Sequence, residues 1–152
     1  MPTEEVPYKR SRFSTRLPAD RSYTEGHYWF RREEGDLWRI GFTKFAVRML
    51  GEAVELGFET KPGAPIEKGQ TVGWIEGFKA VSDVYAPFSG TFEASNPALD
   101  TEIRLVQTEP YGRGWLYSAR GTPEAGLLDV QGYVAVLDAT IDKMLGQRHD
   151  PH

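Results

Sequence analysis

A lysine lying between two β-rich stretches is the residue of this chain best placed to do chemistry. Residues 71–76 hold Val72, Trp74 and Ile75, and residues 81–88 are again rich in apolar and aromatic side chains, so Lys79 falls at the tip of a β-hairpin. Gly77 gives the chain freedom to turn just before it. An exposed amine on a rigid scaffold can be acylated; an ordinary lysine on a loop is simply solvated. Few other residues offer reactivity. His27, His149 and His152 are the only histidines, and none has a metal-binding spacing such as H-E-x-x-H. Serines occur without a G-x-S-x-G nucleophile turn. Tyr111-Gly112-Arg113-Gly114-Trp115 has too few glycines, in the wrong order, for a nucleotide loop. The chain has no cysteine, hence no disulfide, thiolate nucleophile or zinc–cysteine site. Any sulfur or redox chemistry must therefore arrive on an added group. These absences argue against an enzyme acting by itself.

The elements that must position Lys79 are short. The 152 residues suffice for one domain with a core, and 39% hydrophobic with 26% charged residues is the balance of a soluble globular protein. Sixteen glycines and ten prolines imply many turns and short strands. No apolar run approaches a membrane span, and the amino terminus lacks the apolar core of a secretory signal, which predicts a cytoplasmic protein. A net charge of −4 argues against a nucleic-acid binder and suits docking on other proteins.

Residues 1–17 carry Lys9, Arg10, Arg12 and Arg16 with Pro2 and Pro7, which predicts a mobile basic extension or a docking arm for an acidic partner. Residues 18–146 make the domain. Strands are expected at 23–30, Leu37–Phe42, Ala53–Phe58, 91–94, 104–107 and 114–117, with turns at 33–36, 62–65 and Asn96-Pro97. Thr43 can cap a helix Lys44–Leu50 with Phe45, Val47, Met49 and Leu50 as its apolar positions, ended by Gly51. Thr122-Pro123-Glu124 reads as a helix start toward Leu128. Val134, Leu137, Ile141, Met144 and Leu145 recur at helical spacing over 133–145, where Gly146 is a stop and residues 147–152 a disordered tail. The sum is a mainly β antiparallel sandwich or flattened barrel with a short internal helix and a C-terminal helix.

Two motifs carry a resemblance to a known family. Glu-Gly-Phe-Lys-Ala-Val-Ser-Asp at 76–83, followed by Val-Tyr-Ala-Pro-Phe-Ser-Gly at 84–90, resembles the lipoylation hairpin of the glycine cleavage H proteins, which usually reads E-S-V-K-A-x-S-D and then P-x-S-G. Thr-Glu-Pro-Tyr-Gly-Arg-Gly-Trp-Leu at 108–116 resembles that family's D-P-Y-G-x-G-W-L. The likeness extends roughly over 23–145. It implies a lipoyl-type fold of two facing sheets with helices outside, and a non-catalytic carrier with lipoic acid in amide linkage on Lys79. Glu76 and Asp83 would then orient a ligase or partner. Residues 23–29 resemble Y-T-x-x-H-E-W, with Tyr28 where the family has a carboxylate suited to a bound primary amine; Tyr28 is a candidate arm contact. Biotinyl hairpins typically read M-K-M and 2-oxo acid dehydrogenase lipoyl domains D-K-A, and Phe78 fits neither.

The implied partners are a lipoate ligase or lipoyl transferase, dihydrolipoyl dehydrogenase, and one of two assemblies, with the carrier itself a monomer. The missing acid at Tyr28 and the long amino terminus favour a carrier of sulfur intermediates serving a heterodisulfide-reductase-like complex of sulfur oxidation. The alternative is the H protein of glycine cleavage, taking an aminomethyl group from glycine decarboxylase to an aminomethyltransferase. It is supported by Asp83 and the Tyr-Gly-x-Gly-Trp motif. The intact Lys79 argues against a third reading, an unmodified scaffold.

Overall fold

Alternation along one strand sets up two cores on opposite sides of a sheet. In the computed structural model, which describes residues 4–124 and 127–149, Tyr28 and Phe30 point to one side and Trp29 to the other, as a period of two requires. In chain order the elements are β1 (Glu5–Arg10), β2 (Phe13–Pro18), β3 (Ser22–Tyr23), β4 (Tyr28–Glu34), β5 (Leu37–Phe42), α1 (Lys44–Leu50), β6 (Ala53–Phe58), β7 (Pro65–Ile66), β8 (Thr71–Gly77), β9 (Val81–Tyr85), β10 (Gly90–Ser95), α2 (Ala98–Thr101), α3 (Leu105–Thr108), β11 (Tyr117–Gly121) and α4 (Val130–His149). A six-stranded sheet in the order β3-β4-β5-β11-β10-β7 faces a three-stranded sheet, β6-β8-β9, and all pairings are antiparallel. The two sheets pack face to face and do not close into a barrel, so of the two expected forms the sandwich is the one found. Phe30, Ile40, Phe42, Phe92 and Tyr117 meet Val72, Ile75 and Val84 between them.

The second core lies outside the larger sheet. Trp29 and Tyr23 pack there with Phe45 of α1 and with Tyr133, Leu137 and Ile141 of α4. The extension expected to be a mobile tail closes this core. β1 and β2 form a hairpin whose Tyr8, Phe13 and Leu17 are buried, and Tyr8 Oη donates to Asp138 Oδ1 at 2.8 Å. The reason is the alternation of Phe13, Thr15 and Leu17 with exposed Ser14 and Arg16. The turn, Ser11-Arg12, holds Ser11 at φ 57° without glycine or asparagine, which hides the hairpin from a turn search.

Other boundaries move for local reasons. The strand expected at 104–107 is the helical turn α3, and the one at 114–117 starts later, as β11. Residues 122–124 are not helical, and 125–126 of the expected helix lie outside the described residues; Leu128 pairs with Tyr23 as a lone bridge. Helix α4 runs through Gly146 to His149, since a single glycine weakens a helix without ending it. The expected tail at 147–152 is thus helical over 147–149, and the rest lies outside the described residues. Met49, expected on the apolar face of α1, is 47% exposed.

The second core also contains a pH-sensitive contact. His27, at φ 70° in the β3–β4 turn, lies 4.7 Å from the Phe45 ring, and its Nδ1 is 2.8 Å from Tyr133 Oη. That hydroxyl also meets Thr43 Oγ1 at 2.7 Å. Burial pushes the imidazole down to about 4. The unfolded chain, with an ordinary imidazole, takes up a proton near pH 6.5 that the folded chain refuses until about pH 4. Stability therefore falls as pH drops through that window, by at most about 1.4 kcal/mol per pH unit. Urea midpoints between about pH 7 and pH 5 should show the slope, and His27→Gln should flatten it.

Candidate functional site

Lys79 stands on a tip braced from beneath. Gly77 N donates to Ala80 O at 2.9 Å, which leaves Phe78 and Lys79 as the outermost residues of the β8–β9 hairpin. Thr43 caps α1 through Oγ1, which accepts from Ala46 N at 3.4 Å. Gly51 ends α1 at φ 80° and turns the chain under the hairpin. There Phe78 N donates to Glu52 O and Lys79 N to Leu50 O, both at 3.0 Å. Gln107 Nε2 donates to Gly51 O at 2.8 Å and holds that turn from behind. The backbone of the tip is thus tied at Gly77, Phe78 and Lys79, while the lysine side chain is exposed. Its Nζ meets Arg48 O at 3.3 Å, a contact an amide N–H could keep.

Gly77 serves a different purpose from the turn freedom expected of it. A Cβ at that position would lie 2.3 Å from Leu50 O. The glycine is there because the end of α1 approaches the hairpin closely, not because its φ is unusual.

Glu76 and Asp83 come together on the outer face of the small sheet. Glu76 pairs with Val81, and Trp74, on the same face, pairs with Asp83. Glu55 of β6 lies opposite Glu76 on the other side. All three acids are exposed, as are Phe78 at 76% and Val81 at 70%. The tip thus offers a bare apolar rim beside carboxylates, a surface suited to a partner with apolar and basic groups.

Tyr28 is buried and acts on the backbone of β9. Its hydroxyl accepts from Tyr85 N at 2.9 Å and donates to Asp83 O at 3.3 Å, and Tyr117 Oη donates to Tyr85 O at 2.9 Å. Burial raises both phenols well above their ordinary range. β9 is an edge strand, and two tyrosines of the facing sheet satisfy backbone groups that a further strand would take. Tyr28→Phe should cost about 1–3 kcal/mol by leaving those groups unpaired, read as a lower urea midpoint.

Sequence reasoning missed Glu25. It lines a cleft of about 360 Å³ together with Tyr28, Lys68, Tyr85 and Leu128. Only its position three residues before Tyr28, in a turn, could have drawn attention to it. The 108–116 motif has a structural role. Trp29 Nε1 donates to Pro110 O at 2.9 Å, Arg21 Nη1 donates to Tyr111 O at 2.8 Å, and Tyr111 Oη accepts from Lys44 N at 3.0 Å. This loop fixes the start of α1, whose far end holds the lysine tip.

The geometry leaves one amine exposed on a braced hairpin of a two-sheet sandwich. The sequence model of the glycine cleavage H-protein family matches residues 21–138. The chain is 38% identical over 124 residues to the glycine cleavage system H protein of Corynebacterium jeikeium, covering 80% of this chain and 97% of that one. It is 38% identical over 126 residues to that of Bacteroides fragilis, covering 81% and 98%. The crystal structure of a glycine cleavage system H protein from Mycobacterium marinum superposes with a TM-score of 0.71 at 34% identity, covering 80% of this chain and 99% of that one. This chain belongs to the glycine cleavage H-protein family. The names of these relatives favour glycine cleavage, and give no support to the preference for a sulfur-oxidation carrier.

Proposed function

We propose that the chain is the non-catalytic carrier of a glycine cleavage system, with lipoic acid in amide linkage on Lys79. The observation that carries the reading is the exposed Lys79 side chain on a tip tied to Leu50 and Glu52. The residues fit the group: among the described residues no carboxylate pairs with Nζ, and its contact to Arg48 O is compatible with an amide. The lipoyl group supplies the dithiol that the cysteine-free chain lacks. A lipoate ligase or lipoyl transferase attaches it. Glycine decarboxylase, an aminomethyltransferase and dihydrolipoyl dehydrogenase are the partners that use it. The brace fixes where the arm starts, so each docked partner meets it at a high effective concentration.

Glu76 and Asp83 orient those partners from the outer face. Tyr28 cannot offer the carboxylate that an amine-bearing cargo favours, and its hydroxyl is held by β9. Glu25 brings a carboxylate into the same cleft from a different position. A carboxylate so placed supports the glycine cleavage reading and its aminomethyl cargo.

The test is loading of the lipoylated protein by glycine decarboxylase with glycine, read by intact mass. Uptake of the aminomethyl cargo is expected, and Glu25→Gln should shorten its lifetime roughly five- to tenfold, as loss of a charge-assisted contact does. A lipoylated protein that takes up nothing would rule out this pathway.

A further inference from the structure

The residues outside the family match build a second cavity next to Lys79. The match spans residues 21–138; the β1–β2 turn and the last turns of α4 lie outside it. They come together over α1 around a half-open hollow of about 490 Å³, lined by Phe13, Phe45, Met49 and Met144 together with Arg10 and Arg12. Arg48 stands at the boundary. Its Nη1 donates to Arg12 O at 3.3 Å, its guanidinium lies 5.7 Å from the Phe13 ring, and its own carbonyl is the one that meets Lys79 Nζ. The attachment atom therefore meets α1 one residue before Met49, and Phe45 lies three residues back toward the start of the helix, about 4.5 Å of rise.

Met49 is 47% and Met144 40% exposed, and both line a hollow of mixed character in which apolar side chains alternate with Arg10, Arg12 and Arg48. Uncovered apolar area in a hollow favours an apolar occupant, and flexible thioethers adapt to one without fixed shape. The occupant nearest to hand is the hydrocarbon chain of a group joined to Lys79. Being tethered, it needs only a weak site. Resting on the carrier reading above, we infer that this cavity is a berth for the unloaded lipoyl arm, distinct from the cleft that holds Glu25. The berth shields the unloaded arm between visits, oxidised or reduced, and a docking partner draws it out.

The full chain with methyl-labelled methionine, lipoylated on Lys79 as verified by mass, gives the test. The Met49 and Met144 methyl signals should shift on lipoylation and show proton–proton contacts with the lipoyl methylenes. Met144→Gln, at a half-exposed position that leaves the core intact, should abolish the contact at Met49. It should also speed alkylation of the reduced arm by iodoacetamide roughly threefold, as the sheltered population is lost. Verified lipoylation with both methyl signals unmoved, or contacts only to Tyr85 and Leu128, would overturn the berth and leave the carrier reading standing. Absence of any mass gain on Lys79 would remove both.

Discussion

Lys79→Arg is expected to fold as the parent does, to keep the charge, and to carry nothing. The side chain is exposed and, among the described residues, its Nζ makes one hydrogen bond, to a backbone carbonyl that a guanidinium can also reach. Stability should therefore stay within about 0.5 kcal/mol. Guanidinium does not lose its proton in proteins and cannot be acylated in place of an amine. The variant should gain no lipoyl mass with a lipoate ligase, and a reconstituted glycine cleavage reaction containing it should fall to background. No nearby lysine can substitute, because none shares the hairpin tip. Transfer through this variant would show that another residue bears the arm.

Gly77→Ala should cost about 1–3 kcal/mol and slow acylation of Lys79. A Cβ there would sit 2.3 Å from Leu50 O and 2.6 Å from Leu50 Cγ. The carbonyl belongs to the residue that accepts from Lys79 N, so the clash cannot be relieved without moving the brace itself. Overpacking against backbone has this magnitude in well-packed proteins. The urea midpoint gives the stability cost, and the initial rate with a lipoate ligase gives the positional one. Phe78→Ala, which removes a 76% exposed ring and touches no brace, separates the two: it should leave stability nearly unchanged. If Gly77→Ala were as stable as the parent and modified as fast, the close approach of α1 would not be what positions the lysine.

These two residues also show what the sequence made legible. Lys79 and its strands could be read because β propensity and period-two burial act locally, and the motif around them is contiguous. The cap at Thr43 and the stop at Gly51 were likewise local. The purpose of Gly77 was hidden, since it depends on Leu50, which reaches the hairpin only through the fold. Tyr28 was noticed as a missing acid. That its hydroxyl instead serves the edge of β9 follows from the facing of two sheets, which no spacing within residues 23–30 reveals. Glu25 entered the cleft by the same route.

The amino-terminal hairpin escapes the sequence for a different reason. Its four basic residues suggested a solvated tail, yet Arg10 pairs with Asp142 at 2.8 Å and Asp138 at 3.3 Å on α4, and Arg16 with Glu5 at 3.4 Å. Such exposed pairs add little stability. The burial of Tyr8, Phe13 and Leu17 against α4 holds the hairpin, and α4 lies more than a hundred residues away in sequence.

A carrier of this kind requires that one exposed amine on a braced hairpin bear the group on which its function depends. Intact mass and peptide mapping, after exposure of the full chain to a lipoate ligase, lipoate and ATP, test it most directly. A single lipoyl amide confined to the peptide containing Lys79, and absent from Lys79→Arg, is the predicted result. An unmodified chain, or a lipoyl group on any other lysine, would contradict it.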